Sequence, residues 1–147
     1  MLPQRKARKD TLPPSVLNAA RAARKDGHMI IKIDEYSDVP IYMQIRNQIV
    51  MGISSGELKA GEQLPTVRAL ALEIGINTMT VSKTYQMLKN EGYIMTDRKN
   101  GARVRENIAK SGVISDDNKN ELRRIVSESR LSGVPKAELK KLIDEFY

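Results

Sequence analysis

Gly75 does more than any other residue to limit the folds open to this chain. It stands between two short apolar stripes at helical spacing, Val67, Leu70, Ala71 and Ile74 before it and Val81, Tyr85 and Leu88 after it. The sequence therefore predicts one helix from Thr66 to Ile74 and another from Asn77 or Thr78 to about Asn90. Between them lies a turn whose glycine tolerates a positive φ. Ala71 is small enough for the two helices to approach closely, and Val81 supplies a buried aliphatic side chain. This is the spacing of a helix-turn-helix, although an ordinary helical hairpin can also carry a small residue and a glycine.

The flanking segments narrow the choice. Two β-prone pieces, Tyr93–Thr96 and Ala102–Arg105, enclose the turn residues Asp97 to Gly101, so a hairpin follows the second helix. Helix-turn-helix plus hairpin describes a winged helix. Upstream, Ile41, Ile45, Ile49 and Ile53 form a helical stripe between Pro40 and Gly56. "MIIKI" is a short strand candidate, and "ELKAGEQLP" reads as a linker that delivers Pro65 to the next helix. Downstream, residues 115–131 place Leu122, Ile125, Val126 and Ser129 on one stripe, and residues 135–146 place Leu139, Leu142, Ile143 and Phe146 on another. No third element is at hand to cover these two stripes. They either meet a second copy of the chain or pack back onto the Ile41–Ile53 helix.

Residues 1–28 are basic, interrupted by proline and poor in large apolar side chains, so they cannot build a core. A short helix from Ser15 to Lys25 is conceivable within them. This leader is either a disordered basic arm along a phosphate backbone or a remnant not native to the protein, since His28-Met29 matches a common cloning junction. The expected organisation is a leader over 1–28, a winged helix over 29–107 and a two-helix tail over 113–147. The fold class is mainly α with a small β-hairpin.

Composition removes several functions. There is no cysteine and one histidine, His28, so disulfides, thiolate metal sites and a zinc centre drop out, and no cofactor is expected. No Ser/His/Asp set or glycine-rich phosphate loop is present, and an enzyme is not expected. No apolar run approaches the roughly 20 residues of a membrane span, and no secretory-type apolar core opens the chain, which points to the cytoplasm. The formal charge of +7 suggests an anionic partner. Within residues 79–105, Lys83, Lys89, Arg98, Lys99, Arg103 and Arg105 stand against Glu91 and Asp97 alone.

Longer stretches carry a resemblance. "GELKAGEQLPTVRALA" is similar to the pattern G-x-L-x-x-G-x-x-L-P-S-x-R-x-L-A, and "TVSKTYQMLKNEGYI" to T-V-x-x-A-Y-x-x-L-x-x-E-G-x-I. Both patterns belong to the DNA-binding domain of the GntR family of bacterial transcription regulators, and agreement runs from about Pro40 to Val104. The Asn77 tip and the short two-helix tail resemble the family's YtrA-like subgroup. There are departures: Thr78 and Ser82 stand where many members carry Arg, Thr66 replaces Ser, Ala69 replaces an acid, and the wing reads "KNGA" instead of G-x-G. In that last stretch Asn100 is expected to occupy a positive-φ position.

The resemblance implies a DNA face. In a helix-turn-helix the front of the second helix enters the major groove, which accounts for the compact polar tip formed by Asn77, Thr78, Met79, Thr80 and Lys83. Thr hydroxyls can meet base edges or phosphates, Met79 a thymine methyl, and Lys83 a phosphate or guanine. Capping is the plainer role for Asn77. Arg68 matches the family's DNA-contacting arginine, Thr66 can cap its helix and bind phosphate together, and Arg98, Lys99 and Arg103 form a basic wing for the minor groove or backbone. The tail stripes, Leu122, Ile125, Val126, Leu139, Leu142, Ile143 and Phe146, would then form a homodimer that reads a palindromic operator. Repression near its own gene, often of an ABC transporter operon, is what the resemblance implies, with any small-molecule effector unknown. The rival reading is a winged helix used as a protein-interaction module. It calls for exposed apolar residues on the Asn77–Lys83 face and an acidic or neutral wing, and only Met79 fits it.

Overall fold

The computed structural model describes Met29 and residues 31–147; the leader through His28, with its expected short helix, lies outside the described residues. The described chain forms α1 (Ile41–Ser55), α2 (Val67–Ile74), α3 (Thr78–Asn90), β1 (Ile94–Asp97), β2 (Gly101–Val104), α4 (Asp116–Leu131) and α5 (Lys136–Phe146). It divides into two compact units, one through Ala109 and one from Lys110 to Tyr147.

The first unit is built on the apolar stripes. Ile45 and Ile49 of α1, Leu70 and Ala71 of α2, and Val81, Tyr85 and Leu88 of α3 close around one core, which Ile94, Ala102 and Val104 of the hairpin complete. Fully burying a side chain of this size stabilises the fold by about 1.5–3 kcal/mol. Gly75 ends α2 with φ +69 and its amide donates to the Ala71 carbonyl, so the turn uses the left-handed conformation that glycine adopts without strain. Thr84, fully buried on α3, has its hydroxyl 3.2 Å from the Tyr42 carbonyl oxygen and 3.0 Å from that of Thr80, which satisfies it at the packing of α1 on α3.

Three expectations change. No strand forms among the described residues of 29–33. Ile31 and Ile33 are buried, but two α1 glutamines take the place of a partner strand. Gln48 exchanges hydrogen bonds with the Lys32 amide and carbonyl (2.8 and 2.6 Å). One turn earlier Gln44 does the same for Asp34 (2.9 and 2.8 Å). The supposed linker is also more than a linker. The Leu64 amide donates to the Ala102 carbonyl, the Val104 amide to Glu62 and the Gly61 amide to Val104, so residues 61–64 lie along the free edge of β2. Finally, positive φ in the wing falls on Gly101 (+70), and no described non-glycine residue has one, Asn100 included.

In the second unit, Ser115 caps α4 by accepting from the Asn118 amide, and Asp116 and Asp117 occupy the first turn, where the helix dipole favours acids. Neither tail helix contains a buried residue.

Candidate nucleic-acid interface

The turn after α2 decides what the front of α3 presents. Asn77 caps α3, its side-chain oxygen accepting from the Met79 amide at 2.7 Å, and so spends its polar group on the helix end. Buried Val81, Thr84, Tyr85 and Leu88 leave Thr78, Met79, Ser82 and Lys83 exposed, with Thr80 half-buried. Met79 is 76% exposed, an apolar side chain in a polar tip that the core does not use.

Thr66 and Arg68 approach from α2. Thr66 accepts from the Ala69 amide at 3.1 Å, and with Ala69 in place of an acid the cap has no reciprocal partner. Arg68 is exposed and has no ion-pair partner among the described residues. Lys83 is less free than its position suggests. Its ammonium lies 3.9 Å from the centroid of the Tyr42 ring, on the α1 flank of α3.

The hairpin sorts its own cations. Asp97 Oδ1 accepts from the Lys99 and Asn100 amides, and Oδ2 accepts from the Asn100 side chain and from Arg103 Nη2 at 3.0 Å. These bonds, the Asn100 amide first and Arg103 next, hold the Asp97 carboxyl down at about 2. Arg103 is thereby folded back inside the wing, and its Nε is buried without a partner. Arg98 and Lys99 remain exposed at the tip. Gln63 steadies the tip by donating to the Asn100 carbonyl at 2.9 Å.

Tyr85 belongs to the core. Its hydroxyl donates to the Pro65 carbonyl at 2.8 Å, tying α3 to the residue that leads into α2, and burial pushes its ionisation up out of reach. Tyr42 and Gln86 were not singled out from the sequence, and on the same wing-side flank of α3 Ser82 and Lys89 were named only as a departure from the family pattern and as part of a basic cluster, not as site residues. The flank had a legible signal, polar residues at i, i+4 and i+7, whereas the pairing of Tyr42 with Lys83 spans 41 positions and had none. Among the described residues there is no cluster of His, Cys, Asp or Glu that could hold a metal ion. No described helix is long and apolar enough to cross a membrane.

Comparison with known proteins places this geometry. The profile for bacterial regulatory proteins of the gntR family matches residues 41–104. The HTH-type transcriptional repressor YtrA of Bacillus subtilis is 37% identical over 119 residues, which span 79% of this chain and 91% of that protein. Among solved structures, YtrA of Sulfolobus acidocaldarius, a GntR-family transcription factor, is 37% identical with a TM-score of 0.50, covering 78% of this chain and 97% of that one. A transcriptional antiterminator from Listeria monocytogenes EGD-e is 32% identical with a TM-score of 0.64, covering 81% and 90% respectively.

Proposed function

The chain belongs to the GntR family of bacterial regulatory proteins, with YtrA-like relatives, and on that premise we propose that it is a homodimeric, cytoplasmic repressor that binds a palindromic operator near its own gene. The observation that carries this reading is the tip of α3: Thr78, Met79 and Lys83 stand exposed at the front of the second helix of a helix-turn-helix. A helix end of that kind fits the major groove. In this reading Thr78, Met79 and Thr80 meet base edges, with Asn77 setting the angle of the helix. Lys83 and Arg68 meet a base or phosphate, Thr66 a phosphate, and Arg98 and Lys99 the adjacent minor groove or backbone. Arg103 serves the wing's shape more than its charge, given its bond to Asp97.

Dimerisation falls to the tail. Leu122, Ile125 and Val126 on α4, and Leu142, Ile143 and Phe146 on α5, are exposed, with Leu139 half-buried beside them. Seven apolar side chains at helical spacing on one short unit call for a partner, and a second copy gives the two-fold symmetry that a palindrome needs. The mechanism is occlusion of a promoter. An ABC transporter operon beside the regulator's gene is the first target to examine. Any effector would act by altering the geometry of the dimer.

The test is fluorescence anisotropy on DNA from upstream of the protein's own gene, compared with shuffled DNA. A preference of about 10³-fold or more, lost in Arg68→Ala, is the expected result. Equal, steeply salt-dependent binding to both duplexes would reduce the function to a basic surface. Absence of binding at low salt by a folded dimer would favour the protein-interaction module.

A further inference from the structure

A cleft of about 260 Å³ opens between the start of α2, the wing-side flank of α3 and the hairpin. Val67, Tyr85 and Ala102 give it an apolar floor, and the Tyr85 hydroxyl is turned away to Pro65. Its rim carries Ser82 and Lys89 from α3 and Thr96 from β1. None of these three side chains has a hydrogen-bond or ion-pair partner among the described residues. No carboxylate lines the cleft. One cation and two unspent hydroxyl donors above an apolar floor match an anionic group rich in oxygen acceptors that is joined to a compact, less polar ring.

The geometry points to one backbone phosphate of bound DNA, with its deoxyribose, as the occupant of this cleft. This rests on the DNA-binding reading and adds a site to it. When a recognition helix lies in the major groove and a wing meets the neighbouring minor groove, a single sugar-phosphate strand separates the two grooves. That strand has to cross the surface between α3 and the hairpin, which is where the cleft lies. Lys89 supplies the charge, Ser82 and Thr96 donate hydrogen bonds, and the sugar rests on the floor formed by Val67 and Tyr85. The contact carries no sequence information; it fixes the register between the two parts that do. Lys89 also stands in the last turn of α3, where a cation complements the helix dipole, so loss of affinity alone would not separate the two roles.

Salt dependence separates them, and it can be read on any duplex because the contact ignores sequence. The affinity of the wild type and of Lys89→Gln is measured against salt concentration on the upstream DNA and on the shuffled duplex. The expected result is that Lys89→Gln makes the log–log slope shallower by about 0.9 per bound chain on both duplexes, with the preference between them unchanged. Ser82→Ala and Thr96→Val each weaken binding to both duplexes by the same factor without altering the slope. An unchanged slope in a Lys89→Gln protein that melts like the wild type would overturn the inference. So would a slope change confined to the upstream DNA, because it would make Lys89 part of base readout. If the wild type shows no preference for the upstream DNA but Lys89→Gln still flattens the slope on both duplexes, the operator reading falls and the cleft stands. If no DNA is bound at all, both fall.

Discussion

Lys83 illustrates how a neighbour sets what a side chain can do. Its ammonium over the Tyr42 ring is a cation–π pair of the kind worth about 0.5–1 kcal/mol at an exposed site, and it holds a long, flexible chain at one edge of the α3 tip. If Lys83 contacts DNA, this pre-organisation is part of its contribution. Tyr42→Leu should then weaken specific binding by about two- to fivefold, by conversion of that energy. Tyr42→Phe, which keeps the ring, should bind like the wild type. Anisotropy titrations of the single and double variants check this: on a Lys83→Ala background, Tyr42→Leu should have no further effect. Additive losses would mean that Tyr42 acts through the packing of α1 instead. The sequence could place Lys83 on the exposed face because helical period alone decides that. It could not place the ammonium, because the ring belongs to another helix.

At the level of elements, the wing is where local and distant information part. Its turn was legible from Asp97 to Gly101, and the hairpin forms with Ile94 opposite Val104 and Asp97 opposite Gly101. What makes the tip rigid was not legible. The edge formed by residues 61–64 has no alternating pattern, and its strand-like path is imposed by β2 through the Leu64–Ala102 and Glu62–Val104 bonds. The first segment fails as a strand for a similar reason, since Gln44 and Gln48 satisfy its backbone from α1. Within the turn itself Asp97 gathers the Lys99 and Asn100 amides and the Arg103 guanidinium, and pH tests how far the wing's order depends on that carboxylate. In the folded protein the Asp97 carboxyl titrates at about 2 instead of the ordinary 3.8, so it is depressed. A depressed carboxyl contributes stability above its unfolded value and loses it as pH falls through the folded one. Protection of the Lys99 and Asn100 amides should therefore be full above about pH 4 and fade towards pH 2, read by NMR along an acid titration. Asp97→Asn should show the faded pattern at neutral pH. Amides indifferent to both changes would mean that Gln63 alone holds the tip.

For the whole molecule, the question is how the second unit stays folded. Within Lys110–Tyr147, Arg124 bridges Glu121 and Glu128, and Lys119 pairs with Asp116, but solvent screens exposed pairs like these and they stabilise a helix only weakly. Neither helix buries a residue, so in the proposed dimer the hydrophobic contribution that usually supports short helices would come from association. Folding of the tail and pairing of two chains would then be one equilibrium, dependent on protein concentration. Ile125→Asp together with Leu142→Asp should give a monomer by analytical ultracentrifugation, with loss of tail helicity in circular dichroism. The first unit has its own core and should melt at an unchanged temperature. On DNA, a duplex with one half-site should bind the variant as well as the wild type. A duplex with two half-sites should bind it less tightly by on the order of 10²-fold or more, because the second half-site is no longer engaged at the high effective concentration that a dimer provides. A variant that remains dimeric would move the interface to the first unit. A wild-type chain that is monomeric with a fully helical tail at micromolar concentration would remove the need for a second copy and leave a different protein as the partner of the tail.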